Sequence, residues 1–421
     1  MTDGTIVLTG ATGFIGGEVL RRLLIRDRRP IVALVRAADR VAAAERGRAT
    51  LEALVGPQGA RACEARLRWV PADIEQPRLG LDRRTFDHLA STTTEIIHCA
   101  ASTSFDLPLE EARRVNVAGV EGTLALAEAA SLRGRFRRLH HVSTAYVAGK
   151  APGPVRADDL PADDPALFRN TYERTKAEAE RLLRAAMAHL PITVYRPSIV
   201  VGDSRTGRTT NWNVVYYPMR LMAWGRLPYA SCGGPALLDV VPVDWVADAM
   251  LALGARDDTA GRTFHLTAGE RALSVHDVIR ETYAGMSRRE GAPVPVRTRA
   301  LGPVRWAALT AWARLVGGEK VRKALDGFAV YVDYTRCETV FAGGDEQALL
   351  AAAGCPLPDP ARTFPRVVDY ALAQNFGKPL REAAVTRRAP ERPSLVERLA
   401  SELRSASAAS GIGPSPVLVQ L

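Results

Sequence analysis

Thr5-Ile-Val-Leu-Thr-Gly-Ala-Thr-Gly-Phe-Ile-Gly-Gly-Glu-Val-Leu-Arg-Arg-Leu-Leu24 sets a short apolar run, three spaced glycines and a helical apolar pattern in immediate succession. Ile6, Val7 and Leu8 read as a buried parallel strand, while Phe14, Ile15, Val19, Leu20, Leu23 and Leu24 recur at the spacing of one helix face. Between them stand Gly10, Gly13 and Gly16. The first permits a sharp turn, the second lets backbone approach a pyrophosphate, and the third lets helix and strand pack closely. The free N–H groups of the helix start then face an anion. Placed after a first strand and opening a first helix, the motif predicts a dinucleotide site.

Beyond the first helix, Ile31-Val-Ala-Leu-Val35 is a second buried strand and ends in Arg36. An Asp or Glu at that distance from the glycines would bind the ribose of NAD, whereas an arginine suits the 2′-phosphate of NADP. The expected cofactor is therefore NADPH. Arg46, with Arg40 and Arg48, either completes the phosphate pocket or lies on a solvated helix face. A third strand at 67–70 leads to Ala72-Asp73-Ile74, where Asp73 either accepts from the adenine amino group or caps a helix. The fourth strand, Glu95-Ile-Ile-His-Cys-Ala-Ala101, ends in small residues, Ala100 and Ala101, that let a cofactor lie against backbone; His98 inside it reads as a core residue. A helix over 115–130 carries Asn116 near its start, and Leu139-His-His-Val-Ser-Thr-Ala-Tyr146 is a fifth strand with its exit. The strand and helix alternation predicts an α/β fold with a doubly wound parallel (Rossmann) sheet.

Asn170-Thr-Tyr-Glu-Arg-Thr-Lys176 opens a helix with a capping-box pattern, Asn170 and Glu173, and places Tyr172 and Lys176 at i and i+4 on one face. A tyrosine of ordinary pKa, about 10, is a poor acid–base group at neutral pH unless a cation stabilises its phenolate. A lysine one turn away is expected to do so. Thr144, at a strand end, is the candidate second hydroxyl.

Composition bounds the rest. At 421 residues with 47% hydrophobic content, the chain is long enough for one large core and a smaller one, hence one or two domains. The net charge of +10 comes mostly from arginine and suits anionic small molecules or an acidic protein partner. No nucleic-acid motif accompanies it. Cys63, Cys99, Cys232, Cys337 and Cys355 lack CxxC spacing, so neither a disulfide framework nor a metal site is expected. No apolar run reaches the ~20 residues that span a bilayer, and the sequence enters its first strand at once, so a cytoplasmic protein is expected. The sequence carries no signal for oligomeric state.

These pieces together resemble the extended short-chain dehydrogenase/reductase superfamily, and within it the fatty acyl-CoA reductases and the thioester-reductase domains of carboxylic acid reductases and peptide synthetases. The resemblance spans about residues 5–380. It rests on Thr9-Gly-Ala-Thr-Gly-Phe-Ile-Gly16, Leu34-Val-Arg36, Ala72-Asp-Ile74 with Leu79-Gly-Leu81, His98-Cys-Ala-Ala101, Val142-Ser-Thr-Ala-Tyr146, Tyr195-Arg-Pro-Ser-Ile199 with Gly202-Asp-Ser-Arg-Thr-Gly207, and Pro242-Val-Asp-Trp245. It implies Thr144, Tyr172 and Lys176 as a catalytic set, with Ser143 the alternative hydroxyl. It further implies cofactor contacts from Thr9, Gly10, Thr12, Gly13, Phe14, Ile15, Gly16, Arg36, Arg46, Asp73, Ile74, Ala100, Ala101, Asn116, Pro197 and Ser198. The activity implied is NADPH-dependent reduction of an acyl thioester, on CoA or an acyl-carrier protein, to an aldehyde, with a second round to the alcohol left open by the sequence.

Residues 205–238 break the rhythm and gather Trp212, Tyr216, Tyr217, Met219, Met222, Trp224 and Tyr229, either lining an acyl pocket or forming the core of a smaller lobe. Asp244 reads as a helix cap, 263–267 as a late strand and His265 as structural. The expected division is a Rossmann domain at 1–204 with a return segment at 239–268, a substrate lobe and helical extension at 205–238 and 269–380, and a disordered tail at 381–421. The basic, apolar stretch 304–316 either packs on the lobe or rests on a membrane surface as a peripheral contact. Three rivals share parts of the pattern. A sugar-nucleotide epimerase or dehydratase fits the fold, but Thr144 lacks the following Asp-Glu pair of the dehydratases and Arg36 disfavours NAD. A hydroxysteroid-type dehydrogenase fits an apolar pocket. A non-catalytic NADP sensor would not need Tyr172 and Lys176.

Overall fold

Runs of aliphatic and β-branched residues form seven parallel strands: β1 (Thr5–Thr9), β2 (Ile31–Val35), β3 (Leu67–Pro71), β4 (Thr93–His98), β5 (Arg138–Val142), β6 (Ile192–Pro197) and β7 (Arg262–Leu266). The computed structural model describes residues 4–379 apart from 213, 234–236 and 337. The sheet order is β7-β6-β5-β4-β1-β2-β3, so the winding reverses between β1 and β4. That reversal opens a crevice at the carboxyl ends of those two strands.

Alternate side chains of each strand feed two cores, one on each sheet face. Ile6, Leu8, Ile31, Ala33, Ile97 and Phe264 pack with Val19, Leu20, Leu23 and Leu24 of α1 (Phe14–Arg26) and Leu51 of α2 (Arg40–Cys63). Val7, Val32, Leu34, Ile96, Leu139 and Val194 pack on the other face, against α3 (Arg83–Thr92), α5 (Ala118–Ser131) and α6 (Thr171–Ala186). Between α3 and α5 runs a separate short helix, α4 (Leu109–Asn116). The continuous helix expected over 115–130 is thus two helices, and Asn116 ends the first rather than opening the second. The break is the single residue Val117, and the Asn116 side chain beside it accepts from Ser102 N at 2.9 Å through Oδ1 and donates to Thr175 Oγ1 at 3.0 Å through Nδ2.

The chain forms two compact units. The first comprises Met1–Asn211, Asp239–Ala272 and Thr339–Thr363. The last of these segments corrects the expected division, which gave it to the lobe. Strand Thr339–Phe341 pairs in parallel with Gly153–Val155, and Leu350 is buried in the α1 core. In the second unit α7 (Tyr216–Ala223) buries Tyr216, Met219 and Met222. Trp212 stacks on Tyr370 at 6.2 Å and Tyr217 on Tyr331 at 5.1 Å. Back in the first unit, α8 (Val243–Gly254) begins after Pro242, so Asp244 lies in its first turn instead of capping it. The Asp244 carboxylate accepts from Ser204 N and Oγ at 2.8 and 2.6 Å. The second unit continues with α9 (Val275–Glu290) and α10 (Pro303–Val316), which buries Trp306 and leaves Val304 and Leu315 exposed. Among the described residues no helix is long and apolar enough to cross a membrane. The expected tail at 381–421 and Cys337 lie outside the described residues.

Candidate active site

Gly10 follows β1 with φ at 73°, and a Cβ there would stand 2.7 Å from Ala100 N and from Cys99 C at the exit of β4. The crevice floor is therefore backbone against backbone. A Cβ on Gly16 would stand 2.2 Å from Gly10 O, so α1 reaches the turn only because that position is bare. Gly13 caps α1 without a side-chain hydrogen bond, which leaves the first-turn N–H groups of Phe14, Ile15 and Gly16 for an outside acceptor. These residues fit a dinucleotide pyrophosphate.

Thr9 has another task. Its buried hydroxyl meets His98 Nδ1 at 2.8 Å and accepts from Ala100 N at 3.2 Å, tying β1 to the exit that carries Ala100 and Ala101. Arg46 is delivered by α2, whose Asp39 cap accepts from Ala42 N at 2.9 Å. It donates to Arg36 O at 2.9 Å and to Thr12 Oγ1 at 3.2 Å, so two guanidinium-bearing residues and the glycine turn meet at the end of β2. Arg36 itself is 75% exposed and faces Glu75 at 3.6 Å. Asp73 Oδ1 accepts from Glu75 N at 3.0 Å, forming a local turn, and Ile74 packs toward Gly119 of α5. Pro197 ends β6, and the Ser198 hydroxyl is turned inward, donating to buried Asp239 at 2.5 Å.

Thr144 leaves β5 with its hydroxyl donating to Pro197 O at 3.4 Å and accepting from Tyr146 N at 3.3 Å, near enough to the Tyr172 phenol to act on its titration. Ser143 is turned inward, donating to Glu180 Oε2 at 2.8 Å. Tyr172 rides on α6, whose Asn170 cap accepts from Glu173 N at 3.0 Å. The Glu173 carboxylate accepts from Arg169 N at 3.0 Å. α6 is clamped to β6 by a pair absent from the sequence expectations: Arg196 and Glu180, both fully buried, at 2.6 Å.

The electrostatics differ from the expected phenolate. Burial pushes the Tyr172 phenol up to about 12, the Thr144 hydrogen bond opposing and the Glu173 charge adding. Lys176 does not acidify it in the chain alone. Its Nζ donates to Val142 O at 2.8 Å and lies 3.3 Å from His141 Nε2, so the ammonium is held on β5. Burial lowers the lysine to about 8, against the pull of Glu180 and Cys99. A cavity of about 580 Å³ opens elsewhere, at the amino end of the sheet beside Arg29, Glu95, His140 and Tyr195. Its charges answer one another, Arg29 meeting Glu95 at 2.6 Å and Asp27 at 2.6 Å, and it lies away from the glycine turn.

The family described as male sterility protein matches residues 8–250, more than half of the chain. The chain belongs to that family. It is 35% identical over 291 residues to the isonitrile lipopeptide synthase of Streptomyces coeruleorubidus, covering 66% of this chain and 19% of that protein. Over 266 residues it is 31% identical to a linear gramicidin synthase of Brevibacillus parabrevis, covering 62% of this chain and 5% of that protein. The chain thus spans no more than about a fifth of the length of these two relatives. Among solved structures, the terminal R domain from the myxalamid PKS-NRPS biosynthetic pathway superposes with a TM-score of 0.74 at 28% identity, over 89% of this chain and 91% of that one. Fold, glycine cradle and family make this chain an extended short-chain dehydrogenase/reductase with an NAD(P)-binding fold, resembling thioester reductases.

Proposed function

We propose that this chain uses NADPH to reduce a carrier-bound acyl thioester to an aldehyde, releasing the thiol. The observation that carries this reading is the placement of Thr144 by the Tyr172 phenol at the carboxyl edge of the sheet, in the same unit as the glycine cradle. The cofactor supplies a hydride. Thr144 and Tyr172 hold the substrate carbonyl oxygen, and as charge develops there the phenol gives up its proton while the threonine hydroxyl donates a hydrogen bond. A phenol near 12 keeps its proton at neutral pH, which suits an acid in the direction of reduction. When the hemithioacetal collapses, its hydroxyl proton returns to the tyrosine and the departing thiolate takes a proton from solvent, so each turnover consumes one proton. Lys176 would bind the nicotinamide ribose.

NADPH over NADH is supported by Arg36 and Arg46. The contact of Arg36 with Glu75 is exposed, and such pairs contribute about 0–1 kcal/mol, so Arg36 can turn to a 2′-phosphate at little cost. Relatives named for lipopeptide and gramicidin synthesis favour a carrier-bound acyl group over a free CoA ester. The test is NADPH oxidation by the purified chain with matched acyl-CoA and acyl-pantetheinyl carrier substrates, products identified by mass spectrometry. Oxidation with the carrier thioester and formation of its aldehyde are expected; oxidation with neither substrate would sink the reading.

A further inference from the structure

Beneath the candidate site lies a fully buried group of nitrogen bases that hydride transfer and proton donation leave without a role. His141 of β5 and His98 of β4 stack at 5.3 Å between ring centroids. His141 Nε2 sits 3.3 Å from Lys176 Nζ, and Val142 O, the next carbonyl on β5, sits 2.8 Å from the same nitrogen. An ammonium has three hydrogens to donate and nothing to accept with, so Nε2 must offer its lone pair and the imidazole must be neutral with its proton on Nδ1. That Nδ1 is buried and, among the described residues, meets no partner. An orphaned buried donor costs free energy that an apolar side chain of the same size would avoid. The cost is intelligible if the other nitrogen has a task.

We propose that His141 is the positioning residue for Lys176: with the Val142 carbonyl it fixes two of the three ammonium hydrogens and thereby aims the third at the cofactor ribose. This rests on the reductase reading, in which Lys176 binds that ribose. The arrangement is self-consistent in charge. Burial, with Lys176 and then His98 adding repulsion, drives His141 well below the ordinary histidine range, so it stays an acceptor. His98 is likewise lowered, to about 3, by burial and by Lys176, and engages Thr9 and Thr123 instead. The other ionisable groups that act on the ammonium are Glu180 on its own helix and the Cys99 thiol at the exit of β4.

The experiment compares His141→Phe, which keeps a ring and removes the acceptor, with His141→Gln, whose amide oxygen reaches the place of Nε2. Loss of one hydrogen bond to a charged group should lower kcat about tenfold to a hundredfold in His141→Phe with KM for the thioester nearly unchanged. The alkaline limb of its pH–rate profile should move about one pH unit lower, because the charged lysine has lost a partner. His141→Gln should restore most of both. Should His141→Phe not fold, as judged by circular dichroism, His141→Asn replaces it: its shorter amide keeps polarity yet withdraws from Lys176, and it should show the same defect. Variants that match the wild type in kcat and in the alkaline limb overturn the proposal, as does a defect that Gln fails to restore. The wild type is run alongside. If it too fails to oxidise NADPH with thioester, the reductase reading falls; an active wild type with unaffected variants removes only the role of His141.

Discussion

Each side chain at the crevice has one job set by what it touches. Thr144 lies by the Tyr172 phenol at the strand edge, while Ser143, one residue earlier, is tied into the interior by Glu180. Tyr172→Phe should abolish turnover, by at least about a hundredfold as for loss of a general acid, with NADPH affinity close to normal by fluorescence titration. Arg36→Glu should weaken NADPH by about tenfold or more and leave NADH little changed, because a carboxylate repels the 2′-phosphate and can accept from a ribose hydroxyl. Equal losses for the two cofactors would remove Arg36 from the phosphate site. The pair of Tyr172 and Lys176 was legible from its four-residue spacing. What spacing does not show is that the ammonium turns toward His141 and Val142 rather than the phenol, since a strand running past a helix contributes contacts no local pattern records.

At the scale of elements, the glycine turn and α6 carry the site. The turn was readable because sterics alone demand its glycines: Gly16→Ala would place a methyl 2.2 Å from Gly10 O. That substitution should cost about 1–3 kcal/mol in chemical denaturation and loosen the dinucleotide, with α1 pushed off β1. α6 is different. Its cap and apolar face were legible, but its anchor is the buried Arg196–Glu180 pair, whose partners are sixteen residues apart on a helix and the following strand. Arg196→Met leaves Glu180 charged and buried, and should destabilise the fold by about 3–5 kcal/mol; a double change of both residues to apolar ones should recover much of that. The break between α4 and α5 escaped the sequence because it is one residue, Val117, that keeps right-handed helical dihedrals, while the bonds of Asn116 to Ser102 and Thr175 join segments far apart in sequence.

For the whole molecule, the alternation of strand and helix made the doubly wound sheet readable, whereas the return of Thr339–Phe341 to pair with Gly153–Val155 depends on a contact between segments far apart in sequence. Stability should fall in acid for a definite reason. Burial works against the Glu95 charge, yet His140 and Arg29 hold its carboxyl down at about 2, from an ordinary 4.5. A depressed carboxylate contributes stability that is fully present above about pH 4.5 and is lost as pH falls toward 2, here up to about 3 kcal/mol. Thermal melts across that window should show the loss, and Glu95→Gln should flatten it. Hydride transfer to a thioester carbonyl under the hydroxyls of Thr144 and Tyr172 is the step on which the proposed activity stands. Its most direct measurement uses NADPH deuterated on the transferring face of the nicotinamide, with a carrier-bound acyl thioester and mass analysis of the product. One deuterium on the aldehyde carbon is expected with the wild type and none above background with Tyr172→Phe. Unlabelled aldehyde, or equal labelling by both proteins, would contradict that step.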